Sequence, residues 1–184
     1  MIDIWHYPKK DDAKLRREIL AEYFGDETFQ MLKTERGQPY AKSKTGILSF
    51  SITHTATDCF LAVSTRGLPV GVDAELKTRK VKGEPILRRY GSVKEQKKYK
   101  SLKSVKDKNT FMLKSWVLKE AVSKVFGIGI IGIQARFFRS IDVTLASKNS
   151  GTFKIESDQG IITLYYRWLK SPQYVVVVVT IKPQ

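Results

Sequence analysis

Two acidic residues near the middle of the chain have the spacing that a shared cation requires. Asp73 and Glu75 are two residues apart in the run VGVDAEL, which is typical of a β-strand, so both carboxylates should project from the same face. Carboxylates held this close repel each other unless a cation lies between them or an edge strand leaves them in solvent. Mg²⁺ prefers oxygen ligands and is usually held by a few carboxylates together with substrate phosphate. We therefore interpret the pair as metal ligands.

A third carboxylate and a lysine lie on a helix predicted over residues 109–127. This stretch is apolar on almost every side, which is typical of a buried helix. Glu120 and Lys124 are one turn apart and should point the same way as Trp116. A charge inside a protein must be paired, bound to a metal or open to a wet cleft. The alternative is an exposed i,i+4 pair worth only about 0.3–0.5 kcal/mol.

The charge of the chain is large and unevenly distributed. The 184 residues carry a net charge of +15, which favours an anionic partner. Residues 77–108 hold thirteen Lys or Arg and three acids, so this basic segment accounts for most of the excess. No apolar run approaches the ~20 residues that span a bilayer, and the N-terminal residues lack the apolar core of a secretory signal. We expect a cytoplasmic protein in which the single cysteine, Cys59, is a core residue.

The order of the predicted elements indicates an α+β fold made of two similar α/β halves related by a pseudo-twofold axis. The predicted domains are an N-terminal half over 1–76, a basic linker or partner-binding segment over 77–108, and a C-terminal half over 109–184. Each half would contain a helix and about three strands, with the strand over 175–179 buried on both faces. The individual predictions are a strand over 1–7, a helix from Asp11 or Asp12 to Phe24 that ends at Gly25, a turn-rich segment over 35–46, strands over 47–55, 59–65 and 68–76, a short helix from Ser92 to Tyr99, the central helix with Asn109 or Thr110 as its cap and Gly127 as its end, and strands near 140–147, 151–156, 161–168 and 174–181.

His54 ends the first of the three central strands. Alternation places Phe50, Ile52 and His54 on one face of that strand and Ser51 and Thr53 on the other. A lone histidine in this position is either a satisfied, packed side chain or a contact for phosphate from the strand end.

Three sequence blocks together resemble the 4′-phosphopantetheinyl transferases of the surfactin-synthetase-activating type. The blocks are FSITHT, GVDAE and WVLKEAVSKVFGIGI, at 50–55, 71–75 and 116–130, and they occur in the family's order and approximate spacing. The resemblance implies the family's fold and an enzyme that moves the phosphopantetheine arm of coenzyme A onto a serine of an apo carrier protein and releases 3′,5′-ADP.

The resemblance also assigns the site residues. Mg²⁺, with Mn²⁺ as a substitute, would be held by Asp73, Glu75 and Glu120, and coenzyme A would be the co-substrate. Glu120, Lys124 and Glu95 would be catalytic, with Glu120 the candidate base and Glu95 its reserve. Gln38 stands where the family has a lysine, which removes one expected cation. The coenzyme A contacts implied are His54, Lys124, Lys119, Thr53, Arg36, Gly37, Gln38, Pro39, Lys10 and Arg16, and the carrier-protein surface would include Lys94, Lys97 and Lys98.

The implied partner is an acidic acyl or peptidyl carrier protein, which a positive surface would steer and orient. We expect a monomer that binds neither nucleic acid nor membrane. The alternative is a basic, non-catalytic α+β module that binds nucleic acid through residues 77–108, favoured by a pI of about 9.9 and by Tyr90 and Tyr99 within that segment. That alternative would place Asp73, Glu75 and Glu120 near phosphates that repel them.

Overall fold

The computed structural model of the protein describes residues 1–128, 135–157 and 160–182. Within these residues, helices and two antiparallel sheets alternate along the chain. The α+β class predicted from the sequence is confirmed. None of the described helices combines the length and the apolar character that crossing a bilayer requires.

The helices and strands have the following bounds. The helices are α1 (Asp12–Phe24), α2 (Gly83–Tyr90), α3 (Val93–Ser101), α4 (Val105–Phe126) and α5 (Ala135–Ser140), with 3-10 turns at Lys9–Asp11 and Val143–Ala146. The strands are β1 (Ile2–Pro8), β2 (Gln30–Lys33), β3 (Pro39–Lys42), β4 (Ile47–His54), β5 (Asp58–Ser64), β6 (Val70–Leu76), β7 (Ser150–Ser157), β8 (Gly160–Leu169) and β9 (Tyr174–Ile181).

The strand pairing crosses the boundary that the sequence predicts at residue 76. The first sheet has the order β1-β5-β4-β3-β2, and the second has the order β6-β9-β8-β7. Strand β6, predicted to belong to the N-terminal half, pairs with β9 along its whole length, from Val70 opposite Thr180 to Leu76 opposite Tyr174. Both strands are almost entirely buried. Because they lie side by side in one sheet, the layers that pack on the two faces of that sheet cover both strands.

The two sheets pack face to face, and a helix covers the outer face of each. Phe60 and Ala62 of β5 pack against Val72 of β6 and Val176 of β9 between the sheets. Helix α1 packs on the first sheet through residues that include Leu20, and α4 packs on the second. The valines of β9 alternate between these two cores, so the prediction of a strand buried on both faces is confirmed.

Helix α4 begins earlier than predicted. Ser104 is its N-cap and accepts a hydrogen bond from the backbone N–H of Asp107 at 3.1 Å. The side chain of Asn109, predicted as a cap, instead accepts from the Val81 N–H and holds the segment that follows β6. The predicted end is confirmed, because Gly127 closes the helix with a left-handed φ of 64°.

Two other local predictions differ from the structure. The strand predicted near 140–147 is wrong: α5 ends at Ser140, and Asp142 accepts a hydrogen bond from the Thr144 N–H at 2.8 Å, which stabilises a 3-10 turn there. The basic segment contains α2 in addition to the predicted helix after Ser92, and Ser92 and Glu95 form a reciprocal capping box at the start of α3.

Candidate active site

A cleft of about 1240 Å³ lies between the end of α4, strand β4 and the loop that joins β2 to β3. Trp116, Glu120 and Lys124 line it together, so the prediction that these three side chains share one face of the helix is confirmed. The remaining lining residues are Arg16, Met31, Leu32, Lys33, Arg36, Gly37, Gln38, Pro39, Phe50, Ser51, Ile52, Ser123, Gly127 and Ile128.

Gly71 lets β6 approach α4 closely enough to bring their charged residues together. A Cβ atom at this position would lie 1.9 Å from the carbonyl oxygen of Ala121, which no real contact allows. Because side chains alternate along a strand, the face of β6 that carries Gly71 also carries Asp73 and Glu75. The close approach therefore directs both acids toward α4.

Asp73 is held by groups from two other elements. Its Oδ1 accepts a hydrogen bond from the Thr53 hydroxyl of β4 at 2.8 Å and from the Lys124 ammonium of α4 at 2.9 Å. Lys124 also donates to the carbonyl oxygen of Val72 at 2.8 Å. Thr53, predicted to contact coenzyme A, thus orients the Asp73 carboxylate, and Lys124 bridges β6 and α4.

Glu120 has an unusually high proton affinity for a carboxylate. Burial, followed by the nearby negative charge of Asp73, raises the pKa of Glu120 to about 7, and the positive charges of Lys124 and Arg79 oppose this shift. Arg79 also forms an ion pair with Glu75. Three acids and two cations therefore surround the point where β6 meets α4.

The donor set at this point fits a hard divalent cation. Asp73, Glu75 and Glu120 offer carboxylate oxygens, and the raised pKa of Glu120 shows that this carboxylate lacks full compensation by positive charge. The oxygens of these three carboxylates do not all lie within 4.8 Å of one another. Among the described residues, the one trio of potential metal ligands that meets this distance is Asp12, His54 and Cys59. Lys124 and Arg79 instead pair with Asp73 and Glu75.

The loop between β2 and β3 forms the opposite wall of the cleft and contains the predicted residues Arg36 to Pro39. The side-chain amide of Gln38 donates to the Val125 carbonyl near the end of α4. A Cβ atom on Gly127 would lie 2.6 Å from the Arg36 carbonyl oxygen, so the loop rests directly on the helix end. Gln38, at the position where the resembled family has a lysine, therefore docks the loop on α4.

Besides Lys124, three cationic side chains of the described residues line the cleft, and the sequence predicted two of these three. Arg16 of α1 and Arg36 of the loop are the predicted ones, and Lys33 of β2 is the one missed. Strand β2 has four residues and one half-buried side chain, so it carries no clear periodic signal. Lys10, also predicted, is exposed in the 3-10 turn before α1 and does not line the cleft.

His54 lies on the face of β4 that carries Phe50 and Ile52, as the alternation predicts, and α1 covers this face. Its Nε2 is 3.1 Å from Oδ2 of Asp12, the first residue of α1. Arg16 also pairs with Asp12, at 3.4 Å. Asp12 thus links His54 to a cation of the cleft.

Glu95 and Lys119 form an ion pair in the protein interior. The Lys119 ammonium is 2.9 Å from the Glu95 carboxylate, and the two side chains are 3% and 0% exposed. Glu95 also accepts hydrogen bonds from the Ser115 hydroxyl at 2.7 Å and the Val143 N–H at 3.1 Å. Neither residue lines the cleft. Glu95, predicted to be catalytic, and Lys119, predicted to contact coenzyme A, instead join α3, α4 and the turn at Val143.

The predicted carrier-protein residues lie on one short helix. Lys94, Lys97 and Lys98 are exposed on α3. Val93, beside them, is 69% exposed. The helix therefore presents a basic surface with an apolar residue at its start.

The comparisons with known proteins identify the family of this chain. The family model of the 4′-phosphopantetheinyl transferase superfamily matches residues 69–179, more than half of the chain. The chain belongs to the 4′-phosphopantetheinyl transferase superfamily. Among solved structures, the holo-[acyl-carrier-protein] synthase of Thermotoga maritima is similar at 17% identity and a TM-score of 0.40, over 64% of this chain and 64% of that chain. A search of curated proteins gave no match.

Proposed function

We propose that this protein transfers the 4′-phosphopantetheine arm of coenzyme A to a serine of an apo carrier protein, as a member of the surfactin-synthetase-activating type. The observation that carries the proposal is the cleft in which Glu120 and Lys124 face a wall bearing Lys33 and Arg36. Coenzyme A has a pyrophosphate and a 3′-phosphate, and such groups require several cations in their site. Membership of the superfamily supports the same reaction.

The proposed reaction forms one bond to phosphorus, breaks another and transfers the serine proton to a base. The serine hydroxyl oxygen attacks the phosphorus next to pantetheine, the bond from that phosphorus to the bridging oxygen breaks, and 3′,5′-ADP leaves. Glu120, or a water that it orients, accepts the serine proton, so that the hydroxyl becomes the attacking nucleophile. Lys124 places a positive charge beside the phosphates, where negative charge grows in the transition state.

The divalent cation would occupy the junction of β6 and α4. Asp73, Glu75 and Glu120 are the residues that would hold Mg²⁺, or Mn²⁺ in its place, and the ion would supply a Lewis acid for the pyrophosphate. Thr53 keeps Asp73 oriented toward that junction.

The remaining roles follow from position. Arg16, Lys33 and Arg36 would hold the phosphates and His54 the nucleotide end of coenzyme A. The exposed lysines of α3 would steer an acidic carrier protein.

The test mixes the protein with coenzyme A, Mg²⁺ and a panel of apo acyl and peptidyl carrier proteins, and follows the carrier mass by mass spectrometry. We expect the mass of the phosphopantetheine arm to be added to at least one carrier and the addition to stop with a chelator. Transfer that persists with a chelator would contradict the metal assignment, and no transfer to any carrier of the panel would contradict the proposed reaction.

A further inference from the structure

A second group of metal-binding side chains lies beside the cleft, on the α1 face of the first sheet. One ligand atom from each of Asp12, His54 and Cys59 lies within 4.8 Å of the other two, the one such trio among the residues that the structure describes. They offer a carboxylate oxygen, an imidazole nitrogen and a sulfur. The group shares no residue with the acidic site at the junction of β6 and α4.

The strand register builds this group. Cys59 of β5 lies directly opposite Tyr7 of β1 and directly opposite His54 of β4. Directly opposite residues of antiparallel strands project to the same face, so these three side chains form a row across the sheet. Helix α1 begins over this row, and its Asp12 accepts a hydrogen bond from the Tyr7 hydroxyl at 3.0 Å.

The row is open on one side and closed on the other. His54 has 38% of its side chain exposed, whereas Cys59 is fully buried. His54 is therefore the side from which an ion would approach the sulfur. The nearby Asp12 carboxylate would offset part of the ion's charge.

The chemistry of the donors selects the ion. Sulfur and imidazole ligands suit Zn²⁺ and related transition metals, whereas Mg²⁺ prefers oxygen alone. Three protein ligands leave the fourth tetrahedral position for water. Because the guanidinium of Arg16 also pairs with Asp12, its positive charge should make binding weaker than at a closed four-ligand site.

We propose that Asp12, His54 and Cys59 form a binding site for Zn²⁺ that is separate from the proposed magnesium site. Binding replaces the contact between His54 and Asp12 and releases the thiol proton of Cys59 to solvent. Although His54 is also a proposed coenzyme A contact, the site is defined by metal binding and does not depend on the transfer reaction.

The test uses Co²⁺ as a spectroscopic probe in the tag-free protein, with Zn²⁺ as the competitor. We expect one equivalent of Co²⁺ to produce a thiolate-to-cobalt charge-transfer band that Zn²⁺ abolishes. Cys59→Ala should lose this band, and His54→Ala should weaken Co²⁺ binding by at least about tenfold, as loss of a ligand would. His6→Ala is the matched control, since His6 is the other histidine of the chain and pairs with Asp58 instead.

His54→Ala changes an exposed side chain and should fold normally, so it tests the site even if the Cys59 variant does not fold. Circular dichroism and the melting temperature check this for each variant. Absence of the charge-transfer band in the wild-type protein, or its persistence in folded Cys59→Ala, would overturn the proposal. So would equal weakening by His54→Ala and His6→Ala.

Discussion

At the scale of single residues, the junction of β6 and α4 depends on Lys124. Its ammonium group joins the Asp73 carboxylate and the Val72 carbonyl, so it both neutralises an acid and fixes the helix to the strand. No side chain of the described residues pairs directly with the Glu120 carboxylate, and burial followed by the charge of Asp73 raises its pKa. The two residues are one turn apart on α4, but Lys124 fixes the helix to the strand, whereas Glu120 keeps a raised pKa.

Glu120→Gln is the sharpest test of the proposed base. The amide keeps the shape of the side chain but accepts no proton, so we expect kcat for carrier modification to fall by at least about a hundredfold, the usual share of general-base catalysis. The melting temperature should not fall, because burial of a charge is removed. Glu84→Gln, on the exposed side of α2, is the control and should keep normal turnover. Near-normal kcat in Glu120→Gln would contradict the assignment.

Lys33→Ala and Arg36→Ala test the cationic wall of the cleft. A hydrogen bond to a charged group is worth about 1.5–3 kcal/mol, so each change should raise KM for coenzyme A about tenfold or more. KM for the carrier protein should stay within about twofold of wild type, the scatter of ordinary surface changes. Lys44→Ala, an exposed lysine that does not line the cleft, is the matched control. Equal effects of Lys33→Ala and Lys44→Ala would show that Lys33 makes no specific contact.

At the scale of secondary-structure elements, the distance between β6 and α4 sets the site. Gly71→Ala would place a methyl group against the Ala121 carbonyl and push the two elements apart. Overpacking of this kind costs about 1–3 kcal/mol, and at this chain length each kcal/mol lowers the melting temperature by about 2–4 °C. The loss of transfer activity should exceed what the loss of stability alone would cause, because Asp73 moves with the strand. Gly151→Ala is the control, since its added methyl would meet only the Tyr166 side chain at 3.2 Å. Calorimetry measures the melting temperature of both variants, and equal melting temperatures would contradict the prediction.

The buried Glu95–Lys119 ion pair also holds secondary-structure elements together. Lys119→Met should destabilise the protein by about 3–5 kcal/mol, because it leaves the fully buried Glu95 charge uncompensated. The double variant Lys119→Met with Glu95→Gln removes both charges and should recover part of the loss. Chemical denaturation measures both, with Lys106→Met, at an exposed position of α4, as the control. A loss below about 1 kcal/mol, the worth of a surface pair, would contradict a structural role for the pair.

The sequence predicted the elements whose pattern follows from their own burial. The apolar stretch of α4, the alternation of β4 and the doubly buried β9 are readable because each lies against a core along most of its length. Strands β2 and β3 were missed because four residues give too few alternations to recognise, and α2 because its eight residues span only about two helical turns. Lys33 joins the cleft only through tertiary packing, so neither its type nor its neighbours identify it.

At the scale of the whole molecule, the charge distribution matters most. The exposed lysines of α3 belong to a segment that holds most of the net charge. Long-range attraction of this kind raises association rates and falls with ionic strength. The basic surface of α3 is therefore expected to act on the carrier protein before contact is made.

Reversing Lys94, Lys97 and Lys98 to Glu should raise KM for an acidic carrier protein by about tenfold or more and reduce its salt dependence, since charge complementarity acts mainly on association. KM for coenzyme A should not change. Reversal of Lys148, Lys154 and Lys170, which are equally exposed, gives the same change in net charge and is the matched control. Kinetics at several salt concentrations compare the two triple variants. Equal effects on KM for the carrier protein would show that the attraction comes from net charge and not from α3.

The pairing of β6 with β9 has a consequence for biosynthesis. Among the described residues, the strand that carries Asp73 pairs within its own sheet with one segment alone, Tyr174–Ile181, which comes about a hundred residues later. During translation those acids leave the ribosome long before their partner, and contacts between such distant segments form slowly. A nascent chain would thus carry Lys124 and Glu120 while still lacking a finished sheet for them to face, and catalytic competence would arrive only with the final strand.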